Sequence, residues 1–254
     1  MKVVKMRATV AYDGTDFHGF ARQRGLRTVQ GVLEEKLSGL IGSPIEVIGS
    51  GRTDAGVHAK GQVVHWEQSV GPPPERYPAI FQRILPRDLL VRDVTTVPET
   101  FHARFSAVAK TYRYAIQTCT EPNIFTRRYS WHLPVKVSLD RMREGAAYLV
   151  GEHDFTSFCA AATPVENKVR TVHGLSVEPR GSYVIITCTG SGFLQNMVRI
   201  ITGTLVDVGL GKMDADSLPG ILEARDRTKA GRTAPPEGLS LWEVYYDAEF
   251  RAHA

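Results

Sequence analysis

Apolar residues in this chain switch between a period of two and a period near 3.6. The order of those switches constrains the fold more than any other feature. Met6 to Ala11 reads as a strand, ended by the turn pair Asp13-Gly14. Thr28 caps a predicted helix whose apolar positions Val29, Val32, Leu33, Leu37, Leu40 and Ile41 keep helical spacing until Gly42 stops it. Ile45 to Ile48 reads as a strand entering a glycine-rich loop, and Gln62 to Trp66 as another strand. The prolines Pro72 to Pro74 lead into a helical pattern over Tyr77 to Leu85, and Leu89 to Val97 reads as a strand again. The order β-α-β-β-α-β is the split βαβ, or ferredoxin-like, arrangement.

A similar order recurs downstream with different loops. Ala109 to Gln117 reads as a strand, and Ser138 caps a helix with Leu139, Met142, Ala146, Leu149 and Val150 on one face. Val169 to Glu178 and Tyr183 to Thr189 form a strand pair around Arg180-Gly181. A third helix is predicted from Leu194 to Val208 and a last strand from Ser240 to Glu249. The expected fold class is α/β (α+β), with two ferredoxin-like split βαβ sandwich domains and mostly antiparallel sheets. The domains are read as 1–108 and 109–254, joined near Ser106 to Lys110. No short-period repeat is present, which excludes a solenoid.

The 254 residues suit one large domain or two small ones, and 43% apolar with 23% charged residues is ordinary for a globular protein. No stretch approaches the roughly 18 apolar residues of a membrane helix. Lys5, Arg7 and Asp13 break any signal-peptide core, so a cytoplasmic chain with no membrane contact is expected. The three cysteines, Cys119, Cys159 and Cys188, are far apart and form no CxxC, which argues against a disulfide framework or a zinc site. The histidines show no metal-ligand spacing either, so no metal is expected. A net charge of +4 permits a nucleic-acid partner without demanding one.

The segment from Gly49 to Ala59, GSGRTDAGVHA, stands out as a place for chemistry. A Rossmann loop needs glycine where this chain has Asp54, and a P-loop needs Gly-Lys-Ser/Thr where it has Gly56-Val57-His58. It is therefore neither known phosphate cradle. Glycines allow tight turns and close approach of a ligand. Asp54, two residues from Arg52, can be held ionised there as a nucleophile or base. The same residues in a structural role would make a turn with a surface ion pair.

Residues 51–59, Gly51 to Ala59, resemble the active-site signature of the tRNA pseudouridine synthase A family. Tyr12-Asp13-Gly14-Thr15 and Thr28-Val29-Gln30 are similar to its N-terminal signature. Phe101-His102-Ala103-Arg104 followed by Lys110-Thr111-Tyr112-Arg113-Tyr114 resembles a second motif. Gly151 to Phe155 and Arg170-Thr171-Val172 fit its C-terminal half. Phe193 to Arg199 with Gly203 beyond, and Ala234 to Leu239, resemble a third motif and the closing segment. The matches run in order over nearly the whole chain. One departure is Gly19-Phe20-Ala21-Arg22-Gln23, where the family commonly has Gly-Trp-Gln-x-Gln: Phe20 keeps the aromatic bulk and Ala21 loses an amide.

The resemblance implies conversion of uridine to pseudouridine at positions 38, 39 and 40 in the anticodon arm of tRNA. It implies a homodimer without cofactor, each subunit having two α/β domains whose sheets meet around a basic central cleft. Asp54 is then the catalytic carboxylate, attacking C1′ or C6 or removing the C2′ proton. Arg52 and Arg199 are the cations around it. Arg199 lies off the predicted helix stripe Leu194, Met197, Val198, Ile201, Leu205 and Val208, free to enter a cleft or to face water. Tyr112 alternates onto one strand face with Lys110 and Tyr114, and the resemblance assigns it the stacking surface under the flipped uracil. Gln30 and Lys110 are expected to bind substrate. Arg22, Arg24 and Arg27 form the densest arginine cluster of the first half and are expected to contact phosphates, or else to be a solvated basic loop. A nucleoside-bond hydrolase and a non-catalytic RNA-binding module are the alternatives. The first usually needs two carboxylates, and the second has no need of Asp54.

Overall fold

The structure, a computed structural model, describes residues 3–247. Two compact units divide them, one of residues 3–108 with 241–247 and one of 109–240. The strands pair mostly antiparallel, giving the mixed α/β class expected from the sequence. Among the described residues no helix is long and apolar enough to cross a membrane.

The first unit runs β1 (Val4–Tyr12), α1 (Val29–Ile41), β2 (Ile48–Gly49), β3 (His58–Gln68), α2 (Tyr77–Ile84) and β4 (Leu89–Val97). Its strands lie in the order β4-β1-β3, with β1 antiparallel to both neighbours. Met6, Ala8, Val10 and Tyr12 alternate along β1 into the core. Val29, Leu33 and Leu37 of α1 and Tyr77 and Phe81 of α2 are buried with them. The Tyr77 ring meets Trp66 edge-on at 5.5 Å, which fixes α2 on the Trp66 face of β3. Thr28 caps α1 by accepting from the Gly31 amide at 3.3 Å, and Gly42 ends it at φ 77.

Of the strand expected over Ile45 to Ile48 only Ile48 is in a strand, β2, which runs on to Gly49. The cause lies in α1. The Val47 amide donates to Glu34 Oε1 at 3.1 Å, and Gln30 Nε2 donates to the Val47 carbonyl at 2.9 Å. Helix side chains thus take the backbone groups that a strand partner would take. In contrast, β3 extends well beyond Gln62 to Trp66 at both ends.

The second unit contains β5 (Ala107–Gln117), β6 (Trp131–His132), α3 (Leu139–Tyr148), β7 (Gly151–Asp154), β8 (Val169–Arg180), β9 (Tyr183–Gly190), α4 (Met197–Gly209) and α5 (Leu218–Ala224). Its strands lie in the order β5-β9-β8-β7, with the short β6 parallel to the end of β5. The sequence pattern missed β6, β7 and α5, which are too short to show a period. α4 begins at Met197, later than expected, because Asn196 sits at φ 62 and cannot extend a right-handed helix. Nor is α4 amphipathic. Arg199 is its one residue that is not buried. β10 (Leu239–Tyr246) follows, and from Leu241 onward it belongs with the first unit, beside β3. The expected end of that strand at Glu249 lies outside the described residues.

On the face of β3 away from Trp66, the buried His65 lies under the loop of residues 98–106. Its Nδ1 accepts from the Ala103 amide at 3.1 Å, and the His102 ring lies 4.8 Å away. Burial pushes the His65 imidazole down to about 4, and His102 and Lys5 add to the effect. The unfolded chain therefore takes up this proton near pH 6.5 while the folded chain refuses it until about pH 4. His65 contributes fully above pH 6.5, and its contribution is lost as pH falls toward 4. Urea unfolding between pH 7 and 4.5 should show a loss of about 2 kcal/mol from this group. His65→Asn, which keeps an acceptor for Ala103, should flatten the slope. An equal slope in the variant would assign the loss elsewhere.

Candidate active site

The loop between β2 and β3 is fixed from every side within the first unit. Ser50 N donates to the Val63 carbonyl at 2.8 Å, and Gln62 Nε2 donates to the Gly51 carbonyl at 2.8 Å. Thr53 turns inward and its hydroxyl pairs with the Tyr12 hydroxyl at 2.8 Å. Burial pushes the Tyr12 phenol up to about 12, against hydrogen bonds from Thr53 and Gln62, so it stays a neutral prop. Phe20 N donates to the Thr53 carbonyl at 3.1 Å, Gly56 N to Phe17 O at 3.3 Å, and Val57 N to Asp54 O at 3.1 Å. Asp54 is half-buried and Arg52 exposed on this pinned backbone.

Small residues make the fit possible. A Cβ on Gly14 would lie 2.0 Å from the Val57 carbonyl oxygen. Gly19 has φ +87, and a Cβ there would come within 2.6 Å of the Thr53 carbonyl oxygen. Phe20, which stands where the family has tryptophan, packs its ring against Gly49 and is 3% exposed. Its role is to fill the space behind the loop, which aromatic bulk alone satisfies.

His58 shapes the same loop. Its Nδ1 accepts from the Gly14 amide at 2.9 Å and also lies 3.3 Å from Asp13 Oδ1. These two contacts exclude each other as strong interactions, since an Nδ1 carrying a proton could not accept from Gly14. Asp13 Oδ1 already accepts from the Thr15 amide at 3.0 Å and from its hydroxyl. The Gly14 amide is buried and needs an acceptor, so the neutral ring with Nδ1 unprotonated fits best. The Asp13 contact is then not an ion pair.

The arginine cluster of residues 22–27 divides into different roles. Arg27 is bound in both directions, pairing with both oxygens of Asp88 at 2.8 and 2.9 Å and lying 4.0 Å over the Phe17 ring. Arg22 Nη1 is 3.1 Å from Glu34 Oε2 but lacks hydrogen-bond alignment, so this is a charge contact. The Gln30 amide is used inside the fold, accepting from Arg22 N at 2.8 Å and donating to Val47 and Glu34. Arg24 is exposed.

In the second unit, Tyr112 of β5 is 7% exposed and meets Phe193 edge-on at 5.1 Å. Lys110, half-buried on the same strand as Tyr112, lies opposite Gly190 of β9. Tyr114 donates to the Pro235 carbonyl at 2.7 Å, and burial pushes its phenol far up, with Glu237 adding to the effect. Arg199 donates from Nε to the Ala234 carbonyl at 2.8 Å and from Nη1 to Asn196 Oδ1 at 2.9 Å. Asn196 thus both breaks the helix and steers the guanidinium. Sequence reasoning passed over it, although an Asn three residues before an Arg at a helix start is a readable sign. Among the described residues no group of three or more His, Cys, Asp or Glu is placed to hold a metal ion.

The sequence profile of one family, described as tRNA pseudouridine synthase, matches residues 8–106 and 146–247. The chain belongs to the tRNA pseudouridine synthase family. A relative named tRNA pseudouridine synthase A from Brevibacillus brevis is 51% identical over 95% of this chain and 99% of its own length. One of the same name from Bacillus subtilis is 48% identical over 96% of this chain and 100% of its own. Membership makes the chain an isomerase acting on uridine of tRNA.

Proposed function

We propose that the chain isomerises uridine at positions 38, 39 and 40 of the tRNA anticodon stem-loop, as a cytoplasmic homodimer. Asp54 is the catalytic carboxylate and acts near C1′ or C6. The N1–C1′ bond breaks, uracil turns, and C5–C1′ forms. C5 gives up its proton and N1 gains one, so the change is redox-neutral and needs no cofactor. Arg52 and Arg199 supply positive charge to the reacting centre, and Tyr112 stacks on the uracil. Arg24 and Lys110 hold phosphates, Arg22 shares its charge with Glu34, and Arg27 and Gln30 hold the segment in shape. The observation that supports this reading most is the glycine-lined loop that carries Asp54, held by hydrogen bonds to Tyr12, Phe17, Phe20 and Gln62. A binding module would have no need of an acid on so firmly held a backbone.

The test is incubation with unmodified tRNA transcripts carrying uridine at the three positions, followed by site-resolved pseudouridine mapping. Conversion confined to 38–40 is the expected result. Conversion only elsewhere would keep the chemistry and overturn the target. Release of free uracil would indicate a hydrolase, and binding without turnover an RNA-binding module.

A further inference from the structure

The loop of residues 98–106 carries an aromatic ring that the fold does not use. Phe105 is 75% exposed, so its ring contributes little to the core. Yet it is held with care. The ring stacks on His102 with centroids 4.3 Å apart and planes 28° from parallel. The Arg104 guanidinium lies 5.6 Å from its centroid. His102 Nδ1 accepts from the amides of both Arg104 and Phe105 at 3.2 Å. His102 and Ser106 bond to each other twice, at 3.0 and 2.9 Å. Below them, Ala103 is pinned by His65 through its amide and by the Tyr246 hydroxyl, at 2.7 Å, through its carbonyl. Lys5 Nζ donates to the carbonyls of Glu99 at 2.6 Å and Phe101 at 3.1 Å. A bare ring on so constrained a loop is a preorganised contact waiting for a partner, because little ordering entropy remains to be lost.

The surroundings indicate the partner's chemistry. Beside the same loop, Arg7 lies over the Tyr246 and Phe101 rings at 4.6 and 5.7 Å. Arg7 also lines a groove of about 360 Å³ together with Lys60, Arg92, Trp242 and Tyr245, where Asp93 and Glu243 offset part of the positive charge. Lys60 Nζ sits 4.0 Å over the Trp242 ring there. Aromatic faces interleaved with cations suit a strand that offers flat bases and phosphates in turn.

We infer that Phe105 is a stacking platform for an unpaired nucleobase of the tRNA, one other than the target uridine. This rests on the tRNA-modifying activity proposed above. The platform binds and orients RNA and takes no part in the bond changes. Any base offers a π face, so the contact is tolerant of sequence and suits an enzyme acting at three neighbouring positions.

The full chain is tested with unmodified tRNA transcripts as Phe105→Ala, Phe105→Tyr and Arg104→Gln. Phe105→Ala should weaken tRNA binding roughly 5- to 100-fold, while Phe105→Tyr stays close to wild type. The loss should appear in KM, with kcat at saturating tRNA within about twofold. The salt slope of binding should be unchanged in Phe105→Ala, because a ring neutralises no phosphate. Arg104→Gln removes the cation beside the ring, so its salt slope should flatten where that of Phe105→Ala does not. Thermal melting of Phe105→Ala should match wild type, since the ring buries little. Wild-type affinity in Phe105→Ala, beside a wild-type enzyme that converts tRNA, would overturn the platform alone. Affinity that falls only in step with loss of the dimer in sedimentation would reassign the ring to contact between copies of the chain and overturn it too. Failure of the wild-type chain to bind or convert any tRNA would overturn the function and the platform together.

Discussion

Asp54→Asn should abolish pseudouridine formation while tRNA still binds. The expected loss is at least roughly 1000-fold in the single-turnover rate, or about 4 kcal/mol of transition-state stabilisation. The amide has nearly the size of the carboxylate but is neither nucleophile nor base at neutral pH. The near-isosteric change leaves the backbone hydrogen bonds of the loop in place. Its shape depends on Tyr12 with Thr53, Gln62 with Gly51, and the Asp54 backbone carbonyl with the Val57 amide. None of these uses the Asp54 carboxylate. Melting temperature and tRNA affinity therefore serve as controls and should match wild type. Substantial residual turnover with both controls intact would remove Asp54 from the role of catalytic carboxylate. Loss of affinity alongside turnover would point instead to a binding role for the acid.

The sequence was most legible where a signal was local. The first unit's β-α-β-β-α-β order, the Thr28 cap and the Gly42 stop could all be read because each depends on residues within a few positions. So could the loop carrying Asp54. What could not be read depends on partners far along the chain. For Arg27 the sequence offers a phosphate contact or a solvated loop, and neither reading anticipates Asp88, sixty-one positions away, which binds it in two places. For Gln30 the sequence suggests a substrate contact and gives no sign that its amide holds Val47. One clue was available: Glu34 falls between Leu33 and Leu37 on the buried side of α1, where a carboxylate needs a reason. That reason is the backbone of the segment expected to be a strand. In α4 the opposite error arose. A stripe was read from a helix that is buried on every side but one, and the exception, Arg199, carries the information.

Gly14→Ala should also damage the enzyme, less than loss of the acid, though it touches no substrate. The added Cβ would stand 2.0 Å from the Val57 carbonyl oxygen and 2.5 Å from its carbon, distances no real Cβ holds. Both groups are backbone, so no side chain can swing aside to relieve the clash. One of the two segments must shift, and each is tied to the other, since the Gly14 amide donates to His58 beside Val57. Val57 in turn holds the Asp54 carbonyl through its own amide at 3.1 Å, so a displacement at Val57 reaches the acid within one turn of chain. The expected cost is about 2–3 kcal/mol of stability, by overpacking. The expected fall in kcat/KM is roughly 100-fold, by misplacement of the carboxylate on the order of 1 Å. Gly39→Ala is the matched control. It lies inside α1 with open space around its would-be Cβ, and should stabilise the chain by about 0.5–1 kcal/mol without changing rate. Urea unfolding and single-turnover assays on both variants read the two effects separately. A Gly14→Ala enzyme with a wild-type rate would show that the loop yields to a methyl group, and that Asp54 acts from a more adaptable backbone than its hydrogen bonds indicate.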